Sequence, residues 1–205
     1  MTRSRRAIES RQDLVRAATE AIRANGVGGL RIRDIAARAG MSPAAVLYHY
    51  PEIAELTVDV HRAAVDQFFS ERVKVLDSVA DPAARVVTAI RSGLPADSED
   101  ATTGLLFELH AVARRSKLHA ALMTSLWERE ELLYRGLVQS GVDAGVFRPV
   151  RGVDQVATAL IALEDGLALH IVSGNTAMNP ARANALMVAM ASEILRCELT
   201  SGGMA

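Results

Sequence analysis

The stretch LRIRDIAARAGMSPAAVLYHY, residues 30–50, predicts two short helices joined by a tight turn. In the first helix, Ile32, Ile35 and Ala36 share one face, which is the pattern of an amphipathic helix that packs against a core. Gly40 follows, and glycine readily adopts the left-handed backbone that ends a helix. Two short helices with this spacing are typical of a helix-turn-helix that reads DNA.

The second helix of the pair has the composition of a helix that enters the major groove. Ser42 can cap it, and Pro43 suits its first turn because that position needs no amide partner. Its periodicity predicts that Val46 and Leu47 are buried. A face of small residues allows a helix to lie deep in the groove, which is wide enough to admit one. The residues expected on that face are Pro43, Ala44, Ala45 and Tyr48.

The segment from Arg11 to Leu56 resembles the N-terminal domain of the tetracycline-repressor (TetR) family of bacterial transcriptional regulators. The resemblance rests on Ala17-Ala18, Gly26, Asp34-Ile35-Ala36, Ala39-Gly40-Met41-Ser42 and His49-Tyr50-Pro51. It implies a homodimer that binds a pseudo-palindromic DNA operator through this segment. Together with the neighbouring basic residues, it nominates as DNA contacts Arg5, Arg6, Arg31, Arg33, Ser42, Pro43, Ala44, Ala45, Tyr48 and His49.

Three positions depart from the family pattern. The family usually has Thr at Arg31, Tyr at Leu47 and a phosphate-binding Lys at Ile53, so the implied phosphate contacts are weakened at Leu47 and Ile53. A guanidinium or a phenol can reach a phosphate oxygen from a neighbouring position. The candidates to replace the lost contacts are Arg31, Tyr48, His49 and the basic arm of Arg3, Arg5 and Arg6.

Charge is distributed unevenly along the 205 residues. The net charge is −1, yet residues 1–50 carry nine Lys/Arg and four Asp/Glu, a balance of +5, which leaves −6 for the remainder. A basic head on an acidic body orients one end of a protein toward a polyanion. Half of the residues are hydrophobic and 23% are charged, which is sufficient for a packed core.

The remaining sequence predicts helices throughout, because no segment alternates with the period of a strand. We expect an all-α fold with an N-terminal three-helix helix-turn-helix domain, residues 1–51, and a C-terminal ligand-binding and dimerisation domain, residues 52–205. The fourth helix, which starts just past Pro51, would link the two. About nine helices are predicted, over residues 8–25, 32–38, 43–49, 52–78, 82–92, 100–114, 117–140, 153–173 and 180–199.

The last two helices carry small residues at helical spacing, which lets helices approach a symmetry copy closely. In the family this pair is the usual dimer interface, and LIALEDGLALH, residues 160–170, resembles the C-terminal domain of choline- and betaine-related repressors. The alternative is ordinary core packing within one chain. The interface residues expected are Ala159, Ala162, Gly166, His170, Ala185, Val188 and Leu195.

A small-molecule chamber is expected between the head and the dimer helices. Apolar walls with a few polar groups are typical of such a pocket, and also of any helical core. The effector itself is unknown; this lining would suit an apolar or aromatic body with an acidic or hydroxyl group. The candidate lining residues are Phe107, His110, Arg114, Met123 and Trp127.

Enzyme motifs are absent from the sequence. It has no phosphate-binding glycine loop, no His-Glu-x-x-His helix and no Gly-x-Ser-x-Gly elbow, and its five histidines lack metal-site spacing. We therefore expect no catalysis, no cofactor and no metal. Glu128, Glu130 and Glu131 are interpreted as a solvated helix face, and Cys197 as a small apolar residue in the last helix.

The sequence also lacks an export signal, and no run approaches the roughly 20 apolar residues of a membrane span. A cytoplasmic, DNA-binding regulator is therefore expected, most simply a repressor released by a small molecule. Two alternatives stay open: an activator with the same DNA contacts, and a ligand-binding or interaction module whose head has lost DNA affinity, as Leu47 and Ile53 would suggest.

Overall fold

The computed structural model describes residues 3–200, with side chains from Ser10 onward. This part of the chain is all-helical and contains no strand, which confirms the predicted fold class. A single turn of 3-10 helix, Val27–Gly29, follows the first helix. The helices within the described range are α1 Arg3–Asn25, α2 Ile32–Ala39, α3 Pro43–His49, α4 Ile53–Leu76, α5 Pro82–Gly93, α6 Ala101–Ala113, α7 Lys117–Asp143, α8 Val153–Val172 and α9 Pro180–Leu195.

Three of these helices begin with the same device, a polar cap followed by proline. The side chain of Ser42 accepts a hydrogen bond from the backbone N–H of Ala45 at 3.2 Å. Asp81 does the same at the start of α5, at 2.8 Å, and Asn179 at the start of α9, at 2.9 Å. Each cap satisfies an amide that has no partner inside its helix, and the proline after it has no amide to satisfy. These starts therefore match their predicted positions.

The predicted end of the last helix was wrong. The helix was expected to reach residue 199, but α9 ends at Leu195 because Arg196 adopts a left-handed backbone with φ 50°. The N–H of Cys197 then turns back to the carbonyl of Ser192 at 3.2 Å. Cys197 therefore lies beyond the helix, half-buried, rather than within it.

The chain divides into two compact units. The first contains the residues up to Asp66 together with Leu105–Met123. In it, α1 packs on α2 and α2 on α3 around a buried core. This unit groups part of α6 and α7 with the helix-turn-helix, so the functional boundary proposed between residues 51 and 52 stays a prediction. The core residues include Leu14, Ala18, Ile22, Ile35 and Val46.

The second unit contains Gln67–Gly104 and the chain from Thr124 onward. Its core is formed largely by α5, α8 and α9, where Val86, Leu160 and Met187 are fully buried. By length and composition α8 would suit a membrane span, which the sequence analysis did not anticipate. A helix buried in a helical core has the same composition, and eight residues of α8 are buried in this unit.

Candidate functional site

The helix-turn-helix forms with the predicted turn chemistry. Gly40 adopts φ 64° and ψ 30°, the left-handed backbone that ends α2. The N–H of Met41 then bonds the carbonyl of Ala36 at 2.9 Å, and the Ser42 cap starts α3 two residues after Gly40. Backbone and side-chain hydrogen bonds therefore fix the direction in which α3 leaves the turn.

The outward face of α3 is wider than the sequence predicted. Tyr48 is 84% exposed and Pro43 and Ala44 are exposed, as expected, whereas Ala45 is half-buried. Leu47, predicted to be buried, is 42% exposed, so that prediction was wrong. The reason is that so short a helix anchors itself through Val46 alone, which is 2% exposed, and the next residue lies about 100° further round.

Three exposed arginines lie on α2 or directly before it. Arg31 is exposed, and its guanidinium donates to the carbonyls of Gly28 at 3.3 Å and Leu30 at 3.2 Å. The side chain of Arg33 is 84% exposed and its Nε lies 3.6 Å from an Asp34 carboxylate oxygen. Arg38 is also exposed. Exposed guanidinium groups are the usual partners of phosphates and of guanine edges.

The residue after α3 anchors this helix to two other helices. Tyr50 is 2% exposed, and its hydroxyl donates to Asp59 of α4 at 2.9 Å. Burial, together with the hydrogen bond to Asp59, raises the pKa of Tyr50 to about 12. The Arg11 guanidinium of α1 lies 4.5 Å from the Tyr50 ring centroid and donates to the carbonyl of His49 at 3.2 Å. His49 is half-buried.

Helix α6 contacts the turn that precedes α2. A carboxylate oxygen of Glu108 accepts a hydrogen bond from the N–H of Val27 at 2.8 Å. A cleft of about 620 Å³ opens beside this contact, and Gly28 and Arg114 are among its lining residues. Since α2 begins three residues beyond the 3-10 turn, this contact lies close to the entry to α2 along the chain.

The predicted chamber residues are only partly brought together. Phe107 and His110 stack, with ring centroids 6.3 Å apart and planes at 16°. Arg114 lines the separate cleft beside the 3-10 turn, and it is exposed, as is His110. Met123 is half-buried in the first unit, whereas Trp127 belongs to the second unit and packs against its core. The chamber therefore stays a prediction, and so do these ligand contacts.

A buried charge cluster in the second unit was missed by the sequence analysis. The Arg72 guanidinium, 1% exposed, donates to both carboxylate oxygens of Glu164, at 2.5 and 3.0 Å, and to a carboxylate oxygen of Glu130. It also donates to the Tyr134 hydroxyl at 3.3 Å and to the carbonyl of Ala89 at 3.2 Å. Tyr134 in turn donates to Glu164 at 2.5 Å. We call Arg72, Glu130, Tyr134 and Glu164 the Arg72 cluster.

The interpretation of Glu130 as part of a solvated face was wrong. Glu128 is exposed and Glu131 is half-buried, but Glu130 is 4% exposed. It faces inward because its carboxylate pairs with Arg72, which lies 58 residues earlier in the chain. The sequence signal for such a partner was a pair of acidic residues, Glu164 and Asp165, in the middle of the largely apolar α8.

The cluster holds more acid than base, and this perturbs its carboxyl groups. Burial raises the pKa of Glu130 to about 8; the charge of Glu164 adds to this rise and Arg72 opposes it. Burial likewise raises the pKa of the adjacent Asp165 to about 6. Strongly perturbed groups that lie together inside a protein are candidates for a functional site.

Glu164 also needs Gly93 opposite it. A Cβ placed on Gly93 would lie 2.2 Å from the carboxylate of Glu164. Gly93 is buried at the end of α5, so a side chain there would have to displace the carboxylate rather than swing toward solvent. The absence of a side chain at this position leaves the room that the Arg72 cluster occupies.

Two family models match this sequence. One, described as bacterial regulatory proteins of the tetR family, matches residues 14–60. The other, described as the C-terminal part of BetI-type transcriptional repressors, matches residues 82–196, more than half of the chain. The chain belongs to the TetR family. It is therefore a transcription regulator with the all-helical fold of that family, as the resemblance implied.

Similar proteins agree with this assignment. The HTH-type transcriptional repressor KstR2 from Mycobacterium tuberculosis is 22% identical over 146 residues, which cover 71% of this chain and 73% of KstR2. A transcriptional regulator from Saccharomonospora viridis, solved in complex with choline, superposes with a TM-score of 0.79 at 24% identity, over 87% of this chain and 93% of that one. FadR from Bacillus subtilis, solved in complex with stearoyl-CoA, superposes with a TM-score of 0.67 at 14% identity, over 90% and 97%.

In this TetR-family protein, α8 and α9 leave an apolar face uncovered. Four of the predicted interface residues on α8 are exposed, as is Ala185 on α9. Large apolar side chains accompany them: Leu169 is 45% exposed, Leu186 40% and Met190 42%. The α8 residues are Ala159, Ala162, Gly166 and His170.

Two predicted interface residues do not belong to this face. Val188 is 5% exposed and Leu195 is fully buried, and both lie in the core of the second unit. The periodicity of apolar residues along α9 does not distinguish the side of the helix that packs on the core of its own chain from the side that faces outward. The DNA contacts predicted for Arg5 and Arg6 fall outside the side chains that the structure describes.

The Arg72 cluster generates a prediction on pH and stability. The folded-state pKa of Glu130, about 8, lies above the ordinary value of 4.5 for this side chain, so the free energy of unfolding should fall as pH rises from about 4.5 to about 8. Glu130→Gln, which imitates the protonated carboxyl, should flatten this dependence. Glu164→Gln should instead destabilise the fold by about 3–5 kcal/mol, because it breaks a buried ion pair. Urea unfolding at several pH values measures the stability of both variants. An equal loss of unfolding free energy in the two would contradict the assignment of the proton to Glu130 and of the ion pair to Glu164.

Proposed function

We propose that this chain is a homodimeric repressor that binds a pseudo-palindromic operator and releases it when a small molecule binds the C-terminal domain. The observation that carries the proposal is the outward face of α3, which is capped, anchored through Tyr50 and exposed at Pro43, Ala44 and Tyr48. The repressor mode is supported by the description of the C-terminal family model and by the name of KstR2.

DNA recognition would divide between base edges and phosphates. Arg33 projects from α2 with an 84% exposed side chain, long enough to reach a guanine edge in two-pronged fashion. Ala44 and Ala45 would contact thymine methyl groups or permit close approach. Arg31 and Tyr48 would bind phosphates, which position the protein without reading sequence. The exposure of Leu47 gives the outward face an apolar side chain at the position where the family usually has Tyr.

Replacement of Arg33 tests the reading of DNA. Arg33→Ala should weaken operator binding by about 1–3 kcal/mol and relax the preference at one operator position. Arg16→Ala is the matched control, since Arg16 is an exposed arginine of α1 that pairs with Asp13. Fluorescence anisotropy with the operator and with random DNA measures both. An equal loss on the two DNAs would exclude base reading by Arg33.

A second assay addresses the alternative that the head has lost DNA affinity. A gel shift with DNA from the gene's own upstream region should show a discrete complex, and an excess of random DNA should displace the labelled DNA from it only poorly. An interaction module would give no complex at any operator candidate, whereas an activator would give the complex but raise transcription in a reporter assay. The repressor proposal predicts that transcription falls.

Dimerisation is proposed through the exposed apolar face of α8 and α9. Small residues at Ala159, Ala162 and Gly166 would let two copies of α8 approach closely across a twofold axis. Leu169, Leu186 and Met190 would supply the apolar area that drives association. Dimerisation would fix the separation of the two recognition helices at roughly 34–36 Å, one turn of DNA, or a multiple of it.

Gly166→Leu tests this interface selectively. A Cβ added at Gly166 meets no atom within 4 Å beyond its own stretch of helix, so the fold should survive the substitution, while a partner helix would be forced away. We expect the dimer to weaken by at least about 1–3 kcal/mol and operator affinity to fall with it. Gly136→Leu, at an exposed glycine of α7 that is equally open, is the control. Analytical ultracentrifugation showing unchanged dimerisation, or a monomeric wild type, would refute the interface.

We further propose that the effector carries a positive charge and binds at the Arg72 cluster. Two buried carboxylates, Glu130 and Glu164, face the single guanidinium of Arg72, so one negative charge is left without a counter-ion. A proton held by Glu130 neutralises this negative charge in the absence of ligand, and an organic cation could replace that proton. The Saccharomonospora viridis neighbour bound to choline supports this class, although the FadR neighbour bound to stearoyl-CoA shows that the fold accepts others.

Choline and its uncharged carbon isostere distinguish these effector classes. Choline should weaken operator binding by a factor of about 5–150, the usual range of allosteric coupling, and the isostere should not. The fluorescence of Trp127, the only tryptophan, should change with choline because it packs beside the core that holds the cluster. A cationic effector would be excluded if only stearoyl-CoA released the operator DNA, or if choline and its isostere released it equally. The results of the operator-binding assays without effector would still stand.

A further inference from the structure

Two histidines form a buried contact that DNA recognition does not use. His61 of α4 is fully buried and His119 of α7 is 2% exposed. Their Nδ1 atoms are 2.9 Å apart, and their rings stack with centroids at 5.0 Å and planes at 24°. Both residues belong to the first unit, which also contains the helix-turn-helix. The contact joins the first half of α4 to the start of α7.

The geometry of this contact allows one proton between the two Nδ1 atoms. One ring must donate an N–H and the other must accept it with a bare nitrogen. His119 lines a cleft of about 510 Å³ and His61 does not, so His119 is the ring that carries a first added proton. A second proton, on His61, would place one Nδ1–H against the other and abolish the hydrogen bond. The Nε2 of His61 is buried without a hydrogen-bond partner among the described residues, so its charge would go unsolvated.

We propose that the His61–His119 pair is an acid-sensitive latch, which holds α4 against α7 only while at least one of the two rings is neutral. When both rings are protonated, two like charges meet in a buried site and the contact opens. Opening would loosen α4 within the unit that carries the helix-turn-helix. The start of α4 also holds Asp59, the hydrogen-bond partner of Tyr50 at the end of the recognition helix. Acid should therefore weaken operator binding independently of any effector.

The charged groups around the pair favour its neutral form. His110 of α6 acts on His61 with the same sign of charge, so its protonation opposes that of His61. On α4, Asp59 is already engaged by Arg62 at 2.6 Å and by the Tyr50 hydroxyl, and it does not compensate a charge on His61. The other ionisable side chains that share the cleft with His119 are Arg11 of α1, and Glu52 and Glu55 at the start of α4.

The pH range follows from the same environment. Burial, with the charges of His119 and His110, lowers the pKa of His61 to about 4, and burial lowers the pKa of His119. A histidine whose folded-state pKa is depressed stabilises the fold above its unfolded-state value, and that stability is lost as pH falls toward the folded-state value. The latch should therefore weaken from about pH 6.5 down to about pH 4.

His61→Asn tests the latch, because asparagine places a hydrogen-bonding group near the position of Nδ1 but does not titrate. The full-length wild type should lose unfolding temperature between about pH 6.5 and about pH 4, and its operator affinity should fall by a factor of about 5 or more. His61→Asn should show a smaller loss in both. His110→Asn, which removes an exposed histidine and keeps the Nδ1 contact, should still lose unfolding temperature in acid, but beginning at a slightly higher pH because one like charge near His61 is gone.

Imidazole NMR on the folded wild type provides a test that needs no variant. It should show one Nδ1–H shared by the pair and a His61 signal that stays neutral well below the ordinary titration range of histidine. Superimposable pH profiles for the wild type and His61→Asn would overturn the proposal, and so would a His61 that titrates near 6.5 without loss of stability. The unfolding profiles require no DNA, so a failure of the latch is distinguishable from a failure of operator binding.

Discussion

One guanidinium group joins four helices of the second unit. Arg72 projects from α4 and reaches a carbonyl of α5, Glu130 and Tyr134 of α7, and Glu164 of α8. The two terminal nitrogens of this planar group donate to all of these acceptors, whereas the single ammonium of a lysine has only three N–H donors. Because each acceptor lies on a different helix or a different turn, the hydrogen bonds specify the rotation of each helix about its axis. Apolar packing alone tolerates many such rotations.

The first unit fixes its helices in a different way. Its recognition helix is only seven residues long and would not be stable alone. The Ser42 cap holds its start, and the buried Tyr50, bonded to Asp59 of α4 and covered by Arg11 of α1, holds its end. Short-range hydrogen bonds at both ends thus substitute for the apolar area that so small a helix cannot bury. The outward face is left free to vary without loss of the fold.

Features that depend on neighbouring residues could be predicted from the sequence. The starts of α3, α5 and α9 follow from a cap and a proline that are adjacent in the chain, and the left-handed turn at Gly40 follows from one glycine. Features that depend on distant residues could not. Glu130 faces inward because it pairs with an arginine 58 residues earlier in the chain, and the residue pattern of α7 does not indicate that partner.

The same limit explains the errors on individual faces. Val188 and Leu195 lie on an apolar stripe of α9, but an apolar residue can face the chain's own core or a partner, and periodicity does not tell which. Leu47 was assigned inward because it is apolar, whereas the length of α3 leaves one anchoring position, Val46. For the DNA contacts and the effector, the sequence supplied candidates by resemblance, and their roles stay proposals.

Gly93 has a consequence for how this protein can change over generations. The carboxylate of Glu164 occupies the space that a side chain at position 93 would need. A mutation at Gly93 would therefore evict Glu164, and without Glu164 the buried Arg72 would lose its bidentate partner. None of the three can drift alone, so a lineage would have to exchange them together or keep them all. Gly93 has no ionisable or polar side chain, yet it has to be kept together with the ion pair of Arg72 and Glu164.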